Sequence, residues 1–361
     1  MKSIKVLDCT LRDGGYVNDW MFGTNEAKDI IKRISPVGVD YIELGFIDNF
    51  DVIKEGQIQF TEMSQARALF EEKVCKTAVM VNIGYGYPVS KFPNHSEDTV
   101  DLVRVVLWDR MIEQGVDYCK ALKDKGYEVC VQATHTPQYN DDRFIQFVSL
   151  FNEVNPLAFY IVDTFGELTK SSLFHYVKIV DEYIADGIRI GYHAHNNMQQ
   201  AFSNALSFIE QSWNHDIMLD ASVYGIGRGA GNLCLELLLK YLNEENGGNY
   251  DLTPLYDVFD IHIKHYYQNE PWGYSLPYML SAKNGINPNY EKSVKDRKML
   301  TSDIAVLFSE LKKRNLGERF DDSILDSLIN NYILLHQLDQ QEAEVYHIFL
   351  TPCNKLHNQA I

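Results

Sequence analysis

The segment "HAHNN" (193–197) places two histidines two residues apart. On an extended segment, residues i and i+2 point the same way, so His193 and His195 can offer two imidazole nitrogens to one cation. Near the start of the chain, "LDCTLRDGG" (7–15) sets a guanidinium, Arg12, beside a carboxylate, Asp13. Two histidines, one carboxylate and open positions suit a catalytic divalent cation rather than structural zinc, which favours thiolates. Asn232, in "GIGRGAGN" (225–232), adds an amide oxygen. Taken alone, HxH reads equally well as a hydrogen-bonded pair at a strand end. The nearby Asp and Asn favour the cation. A cation on the carbonyl of a 2-oxo acid or thioester polarises it. Proton loss or bond breaking next to that carbonyl yields an enolate, whose charge Arg12 could share. The competing role for Arg12 is a salt bridge that orders its loop.

These residues lie about 180 positions apart, so the fold must bring them together. Eight short β-rich runs recur at 4–9, 39–46, 75–82, 102–107, 128–133, 158–163, 188–193 and 218–223. Most are continuous apolar runs, as expected of parallel strands covered on both faces. Between them lie stretches with helical apolar spacing, the first opening at Thr24, which reads as an N-cap. Residues 83–101 carry Gly, Pro and Asn without a helical period and read as a long loop. The alternation predicts an α/β fold, a (β/α)8 TIM barrel over 1–245. An Asn/Gly-rich stretch at 243–250 marks its edge. A mostly helical C-terminal region, 246–361, then completes the site or forms an interface, and its last ten residues read as frayed. A doubly wound sheet is the rival fold, but the glycine pattern at 225–230 follows the last strand rather than the first.

Bulk properties narrow the function. A net charge of −17 disfavours nucleic acid and anionic membrane surfaces. No run is long and apolar enough to span a bilayer. Six scattered cysteines without a CxxC pair read as reduced thiols in a cytoplasmic protein, with Cys9 packed beneath the first strand.

"LDCTLRDGG" also resembles the D-x-T-L-R-D-G signature of the DRE-TIM metallolyase superfamily. That group includes 3-hydroxy-3-methylglutaryl-CoA lyase, isopropylmalate and homocitrate synthases, and 4-hydroxy-2-oxovalerate aldolase. "YIELGF" (41–46), "VDTFG" (162–166), "HAHNN" and "GIGRGAGNLCLE" (225–236) are similar to further motifs of that group, in the same order. The resemblance implies Asp13, His193 and His195 as metal ligands, Asn232 in or next to the coordination shell, and Arg12 as enolate stabiliser. It implies Mn²⁺ or Mg²⁺ first, and Zn²⁺ or Co²⁺ next. "GYSLPYMLSA" (273–282) is similar to the tyrosine-bearing segment that completes aldolase sites, which nominates Tyr274 or Tyr278. The aldolases keep a histidine two residues after R-D-G, where this chain has Tyr16. The synthases have a Glu–Gln pair after R-D-G, where this chain has Gly14–Gly15–Tyr16.

Proton transfer therefore falls to other groups. Tyr16 is a donor or relay, and His135, just past the fifth strand, has a suitable pKa unless it only bonds nearby backbone. Glu43 is expected to orient a ligand or water, Asp163 to serve the site in preference to capping its turn, and Arg228 to bind a substrate carboxylate or phosphate. The expected activity is a metal-dependent carbon–carbon lyase, an aldolase acting on a small 2-oxo acid. The alternatives are a Claisen-type enzyme using acyl-CoA and a catalytically altered assembly partner. A homo-oligomer and a dehydrogenase partner for an aldehyde product are both left open.

Overall fold

The computed structural model describes residues 3–70 and 74–331. Eight parallel strands close on themselves: β1 Ile4–Asp8, β2 Tyr41–Ile47, β3 Lys76–Asn82, β4 Leu102–Leu107, β5 Glu128–Ala133, β6 Ala158–Asp163, β7 Arg189–Ala194 and β8 Ile217–Ala221. Each pairs with its neighbours in sequence, and closure comes from two ladders of β1. It aligns Ile4 to Asp8 with Ile217 to Ala221 of β8, and Leu7 and Asp8 with Tyr41 and Ile42 of β2. The molecule is thus a TIM barrel. A further two-residue strand, Gln59–Phe60, pairs with the end of β2.

Strand pleating sorts the side chains onto two faces. Outward residues such as Val79, Val103, Val129, Phe159 and Ile190 meet the helices in the main apolar core. Inward residues Leu7, Tyr41, Ala78, Leu102, Cys130, Ala158 and Met218 fill the barrel floor. One pleat further along the strands, the inward positions become Glu43, Arg104, Gln132, Tyr160, His193 and Asp220, all buried. The barrel interior is therefore apolar below and charged above. The polar end is the C-terminal end of the strands, where TIM barrels carry their sites.

The segment Thr10–Asn18 is an α-helix rather than the loop expected for an Arg–Asp–Gly–Gly corner. Gly14 and Gly15 are not needed for an unusual backbone, since neither has a positive φ. They are needed for space. A Cβ on Gly14 would sit 3.1 Å from the Ile226 side chain, and one on Gly15 only 2.0 Å from the Trp20 ring. Trp20 Nε1 in turn donates to the Arg12 carbonyl (2.8 Å), so the indole locks the short helix that carries Arg12 and Asp13. Thr24 is the first residue of the next helix, Thr24–Ile34, whose N-cap is Gly23. The Gly/Pro-rich run 83–101 holds two single 3₁₀ turns and no α-helix.

Beyond the barrel, Leu255, Val258, Ile263 and Trp272 join the barrel's own core. A second core starts at Leu280 and runs through Tyr290, Leu307, Phe308 and Leu311 to Leu328. The helices Leu276–Asn284, Asn289–Asp296 and Thr301–Lys313 supply most of it. The frayed end expected at 352–361 lies outside the described residues.

Candidate active site

Asp13 lies in the first turns of the Thr10–Asn18 helix, and His193 near the end of β7. Asn232 is drawn in by a bridge to His195. His193 Nε2 lies 3.2 Å from Asp13 Oδ2, and His195 Nε2 lies 3.7 Å from the same oxygen. Asn232 Nδ2 donates to that oxygen as well (2.6 Å). The four side chains are all buried. The structure thus gathers the candidate ligands read from the sequence around one carboxylate oxygen.

Both imidazoles are held from behind. His193 Nδ1 donates to Asp220 Oδ2 (2.8 Å), and His195 Nδ1 donates to the Asp163 carbonyl (2.9 Å). Each Nε2 therefore points at Asp13, the arrangement that metal-binding histidines use to fix tautomer and orientation. Burial pushes the His195 pKa down to about 3, so the ring is neutral with its lone pair on Nε2. That atom is buried without a hydrogen-bond partner, as is Asn232 Oδ1. For His193, burial is outweighed by Asp13 and Asp220, which raise the pKa. Burial likewise opposes ionisation of Asp13, yet Arg12 and the histidines hold its pKa well below the carboxylate range. The set comprises one carboxylate, two oriented imidazoles and an amide oxygen, and two of its donor atoms have no protein partner. It fits a divalent cation. Cys9 Sγ stands beside Asp13 and His193, with one donor atom of each within 4.8 Å of the others. Its thiol donates to the Ala221 carbonyl (3.3 Å), and burial raises its pKa.

Arg12 is fixed by two acids. Nε donates to Glu43 Oε2 (2.7 Å) and Nη1 lies 3.0 Å from Asp13 Oδ1. Nη2 is buried with no hydrogen-bond partner among the described residues. Glu43 also accepts from Arg104 Nη1 (2.9 Å), and Arg104 Nη2 bonds both Gln132 Oε1 (3.1 Å) and Asp220 Oδ2. The contacts close a ring: Arg12, Glu43, Arg104, Asp220, His193, Asp13 and back to Arg12. Tyr160 braces it from below, with its hydroxyl donating to Asp220 Oδ1 (2.9 Å) and its ring 4.7 Å from the Arg104 guanidinium carbon. Glu43 thus orients Arg12 through Oε2.

Sequence reading missed Arg104, Gln132 and Asp220. A signal was available. "LVRVVL" and "IMLDA" each carry one charge inside an apolar strand, at a position that alternation places on the inner face.

A cavity of about 320 Å³ opens above the ring. Arg12, Asp13, Tyr16, His193, His195 and Arg228 line it. Asn287 and Asn289 reach it from the C-terminal helical region, and Asn287 Oδ1 accepts from Arg228 Nη2 (2.7 Å). Tyr16 packs edge-on against Trp20 and Phe46 and under the Arg228 guanidinium, 5.5 Å from ring centre to cation. Desolvation raises its phenol pKa despite Arg228, so the hydroxyl keeps its proton near neutral pH.

Three sequence candidates are placed elsewhere. Asp163 Oδ1 accepts the backbone N–H of Glu167 (2.8 Å) and of Leu168 (3.2 Å), so its carboxylate caps the β6 turn and only its carbonyl serves the site. Tyr274 is 51% exposed and does not line the cavity. His135 turns to Glu167 (3.0 Å) and to Glu318 of the C-terminal region (3.7 Å). Burial lowers its pKa, but the two carboxylates win and raise it to about 9. At neutral pH it is a cation holding two acids, which does not suit a general base.

The His135 pairing yields a pH prediction. Because the folded pKa lies above the ordinary 6.5, its contribution is complete below pH 6.5 and lost as pH rises through about 9. The gain is on the order of 2 kcal/mol once screening of half-exposed Glu318 is allowed for. Thermal unfolding at pH 6 should separate His135→Gln from wild type by several degrees, and at pH 10 the two curves should nearly coincide.

Residues 3–262 match the HMGL-like family model. Over 263 residues the chain is 24% identical to a 4-hydroxy-2-oxovalerate aldolase of Bacillus cereus, spanning 72% of this chain and 75% of that one. Over 262 residues it is 25% identical to an oxaloacetate decarboxylase of Mycobacterium tuberculosis, spanning 71% and 74%. Among solved structures, an N-terminal domain from Bacteroides vulgatus superposes with a TM-score of 0.66 at 29% identity, covering 80% of this chain and 95% of that one. The fold is also similar to the HMG-CoA lyase of Brucella melitensis, with a TM-score of 0.59 at 16% identity and coverage of 74% and 99%. The chain belongs to the HMGL-like family of lyases, within the DRE-TIM metallolyase superfamily.

Proposed function

We propose that the protein is a divalent-metal-dependent aldolase that cleaves, or forms, the C3–C4 bond of a 2-oxo acid through a pyruvate-type enolate. The observation that carries the reading is Arg12. Its guanidinium is immobilised by Glu43 and Asp13 at the cavity floor, and Nη2 is left buried and unpartnered. A fixed donor with nothing to bond among the described residues is what a developing oxyanion requires.

Asp13, His193 and His195 would hold the cation, with Asn232 beside them. When bound there, a divalent ion polarises the 2-oxo group. Arg12 lies against the same carboxylate and holds the charge that appears on the substrate oxygen. In the cleavage direction the C3–C4 bond breaks, its electron pair stays on C3, and the 4-hydroxyl proton departs as the aldehyde forms. Tyr16 lines the cavity with its proton in place and is suited to relay protons to and from that oxygen. The relatives named for 4-hydroxy-2-oxovalerate and for oxaloacetate support this reading, because breaking the C3–C4 bond of either compound leaves the same three-carbon enolate. A Claisen-type reaction with acyl-CoA is the second reading, and thiol release in the presence of a 2-oxo acid would reveal it.

The test is exchange of the pyruvate methyl protons in deuterated buffer with Mn²⁺, followed by proton NMR. Wild-type protein should deplete the methyl signal, and chelator should stop the loss. An absence of exchange with every divalent ion tried would overturn the reading.

A further inference from the structure

A second, smaller cavity of about 70 Å³ lies beside the cavity above Arg12, and Tyr16, Arg228 and Asn289 line both. Its wall carries three cations, Arg228, Lys292 and Lys295, against a single carboxylate, Glu270. In a chain of net charge −17, this is a local reversal of sign. Lys292 and Lys295 sit three residues apart on the helix Asn289–Asp296, so one helical face presents both. Neither forms a salt bridge among the described residues, although Lys295 tempers the nearby Glu291 electrostatically. Arg228 gives Nη2 to Asn287, while its Nε is buried and has no hydrogen-bond partner among the described residues. Gly227 and Gly229 flank Arg228 in the same wall; a Cβ on Gly227 would meet the Asn232 side chain (2.5 Å) and one on Gly229 the Asn197 side chain (3.0 Å), so this stretch of backbone packs closely on both asparagines.

We infer that this pocket binds a phosphate group at the far end of the substrate. Resting on the aldolase reading, the substrate class is then a 4-hydroxy-2-oxo acid phosphorylated on its aldehyde half. The 2-oxo acid end lies at Asp13 and Arg12, and the phosphate lies between Arg228, Lys292 and Lys295. The cavity, about 70 Å³ and open to solvent, is the smaller of the two and suits a terminal group of the substrate. Arg228, Lys292 and Lys295 outnumber the lining carboxylate Glu270 and its neighbour Glu291, which favours an anion. The planar guanidinium of Arg228, with an unused Nε–H, can donate to phosphate oxygens, and the lysines act as point charges. The C-terminal helical region thereby becomes the part of the molecule that selects the aldehyde, because Lys292, Lys295 and Asn289 all come from it.

Two measurements on the full chain test this. The first is calorimetric titration with glycerol 3-phosphate, a phosphate monoester with no carbonyl, and with glycerol as control. Wild type should bind the phosphate ester and not glycerol, and Lys292→Ala/Lys295→Ala should weaken binding by about tenfold or more. No binding by wild type, or equal binding by both proteins, overturns the inference whatever the reaction is. The second compares glycolaldehyde phosphate with glycolaldehyde as acceptors for pyruvate in the presence of Mn²⁺. The ratio of kcat/KM should favour the phosphate by about 30-fold or more in wild type and fall by about tenfold in the double variant. If pyruvate exchanges its protons but the ratio is near one, the inference fails and the aldolase reading stands. If coenzyme A instead competes with glycerol 3-phosphate and is lost with the lysines, the pocket serves an acyl-CoA, and the phosphorylated-aldehyde assignment is overturned.

Discussion

An Arg12→Ala enzyme should exchange pyruvate protons about 10³-fold more slowly than wild type, with metal affinity reduced much less. Removing one preorganised donor from an oxyanion typically costs about 3–4 kcal/mol in such water-poor sites. The geometry here supports the upper part of that range. Arg12 is anchored at Nε and Nη1, so no reorganisation is needed to aim Nη2. Two carboxylates keep it charged, raising its pKa above the ordinary value although burial opposes the charge. Arg12→Lys separates charge from geometry. A lysine restores a cation but cannot span Glu43 and Asp13 while presenting a third donor, so it should recover only part of the loss. Proton NMR gives the rate, and a thermal melt shows whether the variant is folded. Full exchange in a folded Arg12→Ala protein would remove enolate stabilisation from this residue and with it the mechanism.

The second large effect is on stability. Arg104→Met should destabilise the fold by about 3–5 kcal/mol, measured by urea denaturation. Arg104 is fully buried in the barrel interior, where it touches Glu43, Gln132 and Asp220 together. Methionine approximates its aliphatic length but leaves two buried carboxylates facing each other without the central cation. The charge of one of them must then be neutralised by protonation or left uncompensated, and domains hold only about 5–15 kcal/mol in total. The triple change Arg104→Met, Glu43→Gln, Asp220→Asn removes the charges as well as the cation and should recover a good part of the stability. It would not recover activity, because Glu43 aims Arg12 and Asp220 aims His193. A loss below about 1 kcal/mol in Arg104→Met would show that the ring is not an electrostatic unit.

The ring also explains why some of the site was legible in the chain and some was not. His193, His195, Asp13 and Arg12 fall in two short motifs whose residue types suggest chemistry by themselves. The partners that aim them do not. Asp220 faces His193 from the next strand, and Arg104 reaches across the barrel to Glu43 and Asp220. These pairings depend on closure of the barrel and on the register of neighbouring strands, neither of which is written in any local pattern. His135 shows the converse. Its position after β5 suggests a base, but the two acids that raise its pKa arrive from residues 167 and 318, one of them in the C-terminal region. Asp163 was ambiguous for the same reason, since its two roles differ only in side-chain direction, and two backbone N–H groups decide it.

The chain by itself determined the alternation of eight buried strands with amphipathic helices, because apolar runs of that length and spacing have few other ways to hide both faces. It also determined the residue types at the strand ends, which were enough to name a cation site and an anion stabiliser. Only the tertiary structure decided that the Arg–Asp–Gly–Gly run is a helix. There the two glycines make room for Ile226 and for the indole of Trp20, contacts no local propensity contains. It likewise decided that a closed ring of alternating charge underlies the site, and that a pocket of three cations opens beside it. Such features come from charges distant in sequence that meet only once the barrel has closed and the C-terminal helices have docked. Burial then makes their interactions strong, because water no longer screens them.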